Sequence, residues 1–275
     1  MDKIIAFSHI MKTGGTTLGN MLIGHYGIKA HHIWPDHLSL EGKPYTYDNL
    51  SNDLKIFKNL KVIQGHALRP FIDFKEYEDN LFWMTILRDP IQRYVSHYVH
   101  DIYWGKRIKQ LEDKSIQHWN EKYDRSNMMV KFISGSDDLE AAKRILIQKF
   151  QFVGILEEFE KSLCIFKNSA QIKQLNLNYQ RPKNPSYNPS IKKIVLNESL
   201  KFIEEQNQLD SQLYEYALHN IWPAQIEKFL DNCNKNGNPR FIRPINTLLY
   251  QIKRQRNYNT VKINQKSIRK FIRRM

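Results

Sequence analysis

The stretch KIIAFSHIMKTGGTTL, residues 3–18, decides how the chain is read. Its apolar first half is a short run of the kind that forms a strand buried on both faces. After the Gly14-Gly15 pair, Leu18, Met21 and Leu22 recur at helical spacing, so a strand turns into a helix through a loop holding Lys12, Thr13, Gly14, Gly15, Thr16 and Thr17. Glycines let backbone N–H groups converge, threonine hydroxyls add donors, lysine adds a charge, and the helix presents its positive end. A phosphate suits such a loop. The order is not that of the common G-x-x-x-x-G-K-[ST] loop, because here the lysine precedes the glycines.

Outward from this opening, further buried strands are expected at KVIQGHAL (61–68), LFWMTIL (81–87) and FQFVGI (150–155). Helices are expected at 47–57, from Pro90 through 104, at 137–150 and at 156–168, with one or two long helices over 197–232 interrupted before Pro223. Residues 27–53, rich in His, Pro, Asp, Gly and Asn, read as an irregular excursion apart from the helix at their end, and RPKNPSYNPS (181–190) reads as a loop. Strands alternating with helices give an α/β fold with a central parallel sheet flanked by helices and a phosphate-binding loop after the first strand. Ligands of such sheets gather at the carboxyl ends of the strands.

The composition supports a globular chain: 41% of the 275 residues are apolar and 25% charged. The net charge is +14, and nine of the positive charges fall in 251–275 with no acidic residue among them. We therefore divide the chain into a domain over 1–250 and a basic tail over 251–275, where Ile268, Phe271, Ile272 and Met275 share a helical stripe suited to holding an acidic glycan or to peripheral membrane contact. A basic field calls for an anionic partner, without deciding which. Cys164 and Cys233, with no C-x-x-C pair, are expected as reduced thiols. With no signal peptide or spanning segment in view, a cytoplasmic protein is expected.

LRDPIQRYVSHY, residues 87–98, carries the second cluster. A helix starting near Pro90 can present Arg93 and Ser96 to one anion while Arg88 reaches in from the strand end. Taken together, HIMKTGGTT and RDPIQRYVS resemble the sulfotransferase family that uses 3'-phosphoadenosine 5'-phosphosulfate, and within it the Golgi-type carbohydrate group that includes the heparan sulfate 2-O- and 6-O-sulfotransferases. Met11 stands where that pattern usually has proline. The resemblance covers the anchoring elements of residues 1–165, with a fainter echo near LYEYAL. It implies that Lys12 approaches the oxygen bridging sulfate and phosphate, and that Thr13, Gly14, Gly15, Thr16 and Thr17 bind the 5'-phosphate. Arg88 and Ser96 then bind the 3'-phosphate. Arg93 has either a nucleotide-binding or a helix-anchoring role, and Lys183 and Ser186, with Arg181, belong to a loop closing over the nucleotide.

The resemblance also places His66 of the Gly65-His66 pair as general base, and an unperturbed imidazole titrates in the range that proton abstraction needs. His97, His100, Glu157 and Glu158 are the competing bases. The acceptor is expected to be a hydroxylated glycan or polysaccharide, with Trp34 as a platform for a sugar ring and Trp83 in the core. No nucleic acid partner is expected, and no oligomeric state is read. No metal is expected either, since His25, His31, His32 and His37 lack a ligand spacing. The product would be adenosine 3',5'-bisphosphate. The competing classes are a phosphate-loop kinase and a non-catalytic binder of anionic polymers.

Overall fold

The computed structural model describes residues 3–33, 43–57, 59–103, 113–172, 175 and 189–230. Five strands, β1 (Ile4–Ser8), β2 (Ala30–Ile33), β3 (Val62–Gly65), β4 (Leu81–Leu87) and β5 (Phe150–Ile155), form one parallel sheet in the order β2-β3-β1-β4-β5. Every residue of β3 and β4 is buried, and Gln151 alone is exposed in β5. Parallel strands covered on both faces read as such unbroken apolar runs.

Within the excursion expected at 27–53 the structure places β2, which corrects that expectation. AHHI is four residues long with two central histidines and carries no strand signal of its own. It is held by pairing with β3, from Ala30 opposite Val62 to Ile33 opposite Gly65.

Ten α-helices surround the sheet among the described residues: α1 (Gly15–Tyr26), α2 (Tyr47–Ile56), α3 (Pro90–Tyr103), α4 (Ile116–Tyr123), α5 (Met128–Ser134), α6 (Leu139–Gln148), α7 (Phe159–Ser169), α8 (Pro189–Gln206), α9 (Gln208–Tyr216) and α10 (Trp222–Phe229). Local chemistry sets several starts. Thr46 and Asn49 form a capping box for α2, Ser115 caps α4 and Asp138 caps α6. Asp89 accepts from the Gln92 amide at 2.8 Å, and Pro90 occupies the first helical position of α3.

The long helical region is in three pieces. Asn207 separates α8 from α9, and a π-helical turn over Ala217–Ile221 precedes Trp222-Pro223, where proline removes a ladder donor. Pro189 and Ser190, expected in a loop, instead open α8. Cys164 on α7 is disulfide-bonded, correcting the expectation of a reduced thiol. No helix among the described residues is long and apolar enough to cross a membrane.

The main core lies between the sheet and its helices and includes Trp83, as expected. A second core joins α3, α4 and α8 through Tyr94, Val95, Val99, Ile116, Trp119 and Ile203. From β1 the chain runs to the edge strand β2, returns through β3, and crosses β1 to reach β4 and β5. The carboxyl end of β1 is therefore a topological switch point, and the segments following β1, β3 and β4 meet beside it.

Candidate active site

The turn after β1 is made by left-handed backbone at Lys12 (φ 68) and Gly14 (φ 82). Such a φ is costly for lysine and natural for glycine. Thr13 closes the turn: fully buried, its hydroxyl donates to the Ile10 carbonyl at 3.0 Å. That corrects part of the expectation, because the Thr13 hydroxyl is spent inside the protein, while Thr16 is exposed and Thr17 half-buried.

Helix α1 then starts with no side-chain cap and no acidic residue in its first turn. The Thr17 amide donates to the Gly14 carbonyl at 3.1 Å, and the amides before it, with the helix's positive end, face an outside acceptor. The two glycines have separate reasons. A Cβ on Gly14 would lie 2.4 Å from Leu156, and one on Gly15 would lie 2.1 Å from the His9 ring.

Cations surround this mouth. Arg88 follows β4 and its Nη1 donates to the Lys12 carbonyl at 3.0 Å, bracing the turn. Its Nε is buried with no hydrogen-bond partner. Burial, together with the charges of Arg88 and Lys192, lowers the Lys12 ammonium to about 8 against the opposing pull of Asp101. Lys192, in the first turns of α8, is itself pulled down by burial and by Arg88. The sequence offered no signal for Lys192 beyond a charge beside an apolar stripe, and only the packing of α8 on α3 brings it here.

Two histidines meet beside the mouth with their ring planes tilted by 35°. Gly65 ends β3 at φ 152, where a Cβ would lie 2.1 Å from the Ile33 carbonyl oxygen, so glycine is needed to pass under β2. His66 follows, with its ring 4.3 Å from that of His9. His66 Nδ1 lies 2.6 Å from the His9 carbonyl oxygen. A carbonyl only accepts, so Nδ1 carries the proton and donates, and Nε2 keeps its lone pair. Burial holds the His66 imidazole below its ordinary value despite this hydrogen bond, and the charges of Arg69 and Lys12 push in the same direction as burial. The ring is therefore neutral at neutral pH. His9 is more buried still and is held well below the usual histidine range by burial and by His66, His32 and Lys12.

A scan against family models matches residues 2–217 to the sulfotransferase family. The chain belongs to the sulfotransferase family. No curated protein matches it.

The remaining candidates in this sulfotransferase divide sharply. Arg93 does not reach the mouth. It is fully buried, with Nε 3.7 Å from Asp210 Oδ2, Nη2 3.3 Å from Asn207 Oδ1 and Nη1 3.4 Å from the Met128 sulfur. Asp210 in turn accepts the Met129 and Val130 amides at 3.0 and 2.8 Å, capping α5 from across the fold. Of the two roles open to Arg93, these contacts are those of a helix anchor.

Ser96 is buried in the second turn of α3, and no hydrogen bond ties it to Lys12 or Arg88 among the described residues. Lys183, Ser186, Arg181, Trp34, His37 and the 251–275 tail lie outside the described residues. The competing bases are otherwise engaged. Glu157 accepts the Asp89 amide at 3.2 Å and the Tyr214 hydroxyl at 2.8 Å, and Glu158 pairs with Lys161 at 2.8 Å. His97 and His100 both face Asp101, at 3.6 and 3.3 Å.

Proposed function

We propose that this sulfotransferase moves a sulfuryl group from 3'-phosphoadenosine 5'-phosphosulfate to a hydroxyl of a carbohydrate, with His66 as general base. The observation that carries the reading is the His66 Nδ1 to His9 carbonyl contact of 2.6 Å, which leaves Nε2 unprotonated on a ring that meets His9, itself packed on Gly15 at the start of α1.

The residues fit a doubly phosphorylated nucleotide. A cradle shaped by glycines, an uncapped helix start, and the Lys12, Arg88 and Lys192 cations give more positive charge than one phosphate requires. When bound, the nucleotide supplies an activated sulfuryl group. Lys12 and the amides at the start of α1 would hold its 5' side, and Arg88, with an unused buried Nε–H, would donate to its second phosphate. His66 Nε2 takes the proton of the attacking hydroxyl, and the Lys12 ammonium neutralises charge on the leaving oxygen. Catalysis of this kind rests on positioning and fixed charge. The disulfide at Cys164 supports an oxidising compartment over the cytoplasm.

The direct test incubates the protein with donor carrying labelled sulfur and a panel of hydroxylated glycans. Label should pass to a glycan, and label that never leaves the donor with any acceptor would contradict the reading.

The rate should follow a bell in pH. As pH falls, protonation of His66 removes the base, so the acid limb lies below the ordinary histidine value of 6.5. As pH rises past about 8, free Lys12 loses its proton and must regain it to hold an anion. Affinity for adenosine 3',5'-bisphosphate should then fall by up to about tenfold per pH unit, with proton uptake on binding measurable by calorimetry in buffers of different ionisation heat. An affinity flat from pH 7 to 10 would remove Lys12 from the site.

Arg88→Met should weaken the same nucleotide by about tenfold to a hundredfold, the worth of a hydrogen bond to a charged group. An unchanged Kd would leave Arg88 a brace for the turn and nothing more.

A further inference from the structure

His9 touches both the cradle and the base, yet its side chain has no place in the proton transfer or in the phosphate contacts. It leaves β1 on the same side as Phe7, since alternate residues of an extended chain share a face. The Phe7 and His9 rings stack at 5.3 Å with planes 15° apart. The His9 ring also meets the His66 ring, at 4.3 Å. A third contact is with α1: a Cβ on Gly15 would fall 2.1 Å from His9 Cδ2 and 2.3 Å from Nε2, so the ring lies against bare backbone at the start of the helix. The main chain of His9 adds two more, its amide donating to the Gly65 carbonyl at 3.3 Å and its carbonyl accepting from His66 Nδ1 at 2.6 Å.

The hydrogen bond to the carbonyl decides which nitrogen of His66 holds the proton, but one bond alone leaves an imidazole free to swing about it. A ring packed beside it removes that freedom. A second seat for α1 lies one turn on, where Gln64 Nε2 donates to the Gly19 carbonyl at 3.1 Å and a Cβ on Gly19 would lie 2.9 Å from Gln64 Oε1. Gly15 and Gly19 share one face of the helix. The face of α1 that opens the cradle is therefore seated on His9 and on β3, the strand that leads into the base. Closely packed groups pass small shifts to one another.

We infer that His9 is a positioning residue: its ring, in contact with Gly15 and with the ring of His66, holds the base in one orientation and ties that orientation to occupancy of the nucleotide cradle. The inference rests on the sulfuryl-transfer reading and adds to it a residue that acts through His66 and touches no reacting atom.

The test uses the full chain carrying nitrogen-labelled histidine and reads the two ring nitrogens of His66 by NMR, identified by their absence from His66→Gln. Adenosine 3',5'-bisphosphate is the probe, added to saturation so that a change in affinity does not enter. In the unaltered protein the His66 nitrogens should report one fixed tautomer, protonated at Nδ1, and should shift when the bisphosphate binds. His9→Ala should move both toward the average of the two tautomers and abolish the shift on binding.

His9→Phe keeps a flat ring against Gly15 and His66 and should restore both signatures. His9→Leu fills the space without a plane; it should behave as the alanine variant does, and it serves if that variant does not fold. Transfer of labelled sulfur to the glycan panel should fall by about 10²-fold in His9→Ala, the cost of a misplaced group, and recover in His9→Phe. His66 nitrogens that stay fixed in His9→Ala, or a binding shift that survives there at full size, would overturn the assignment. If the bisphosphate fails to bind the unaltered protein, the nucleotide reading falls, while the tautomers of the free proteins still decide the role of His9.

Discussion

His66→Ala is expected to lower turnover by about 10²–10⁴-fold while leaving the affinity for adenosine 3',5'-bisphosphate unchanged. The separation follows from the geometry. In the proposed reaction the His66 Nδ1 is committed to the His9 carbonyl, which leaves Nε2 for proton transfer and gives it no part in holding phosphate. His66→Gln, which keeps polarity without a base of suitable pKa, should be nearly as inactive. A variant with near-normal kcat would take His66 out of the chemistry. A variant that had also lost nucleotide affinity would show that the ring shapes the cradle, through its tilted contact with the His9 ring and the packing of His9 on Gly15.

The largest expected effect on stability comes from Asp210→Ala. This substitution strands the fully buried Arg93 charge and uncaps two amides of α5. Breaking a buried pair from one side costs about 3–5 kcal/mol. Against a total stability of about 5–15 kcal/mol, that corresponds to a drop of roughly 10 °C in Tm. The double change Arg93→Met with Asp210→Leu should recover much of the loss, because two apolar side chains leave no orphaned charge. Thermal unfolding of the three proteins gives the answer. If Arg93→Met instead left stability intact and weakened the nucleotide, Arg93 would be a ligand after all and its placement here would be wrong.

The sheet was legible because its strands are buried on both faces. Runs such as LFWMTIL admit little else, and the glycine pair after β1 marked the switch into α1. β2 was hidden because its order comes from β3 and not from its own residues. Lys12, Arg88 and His66 were singled out because each lies just past the end of a strand, and the structure keeps them there. The site was not legible where the partner is backbone or distant in sequence. The His9 carbonyl that fixes the His66 tautomer is a main-chain group, and nothing in HIMKTGGTT announces it. Arg93 sits at the motif position but turns toward Asp210, and no local pattern reveals an ion pair that spans the chain. Lys192 gains meaning only from the Arg88 charge it faces.

The central claim is that the mouth beside β1 holds a nucleotide through two separate phosphates. Calorimetric titration with adenosine 3',5'-bisphosphate beside ATP and 5'-AMP, without divalent metal, tests it most directly. The account predicts tight binding that depends on the 3'-phosphate and weakens in Arg88→Met. Equal affinity for all three nucleotides, or binding only of ATP, would contradict it.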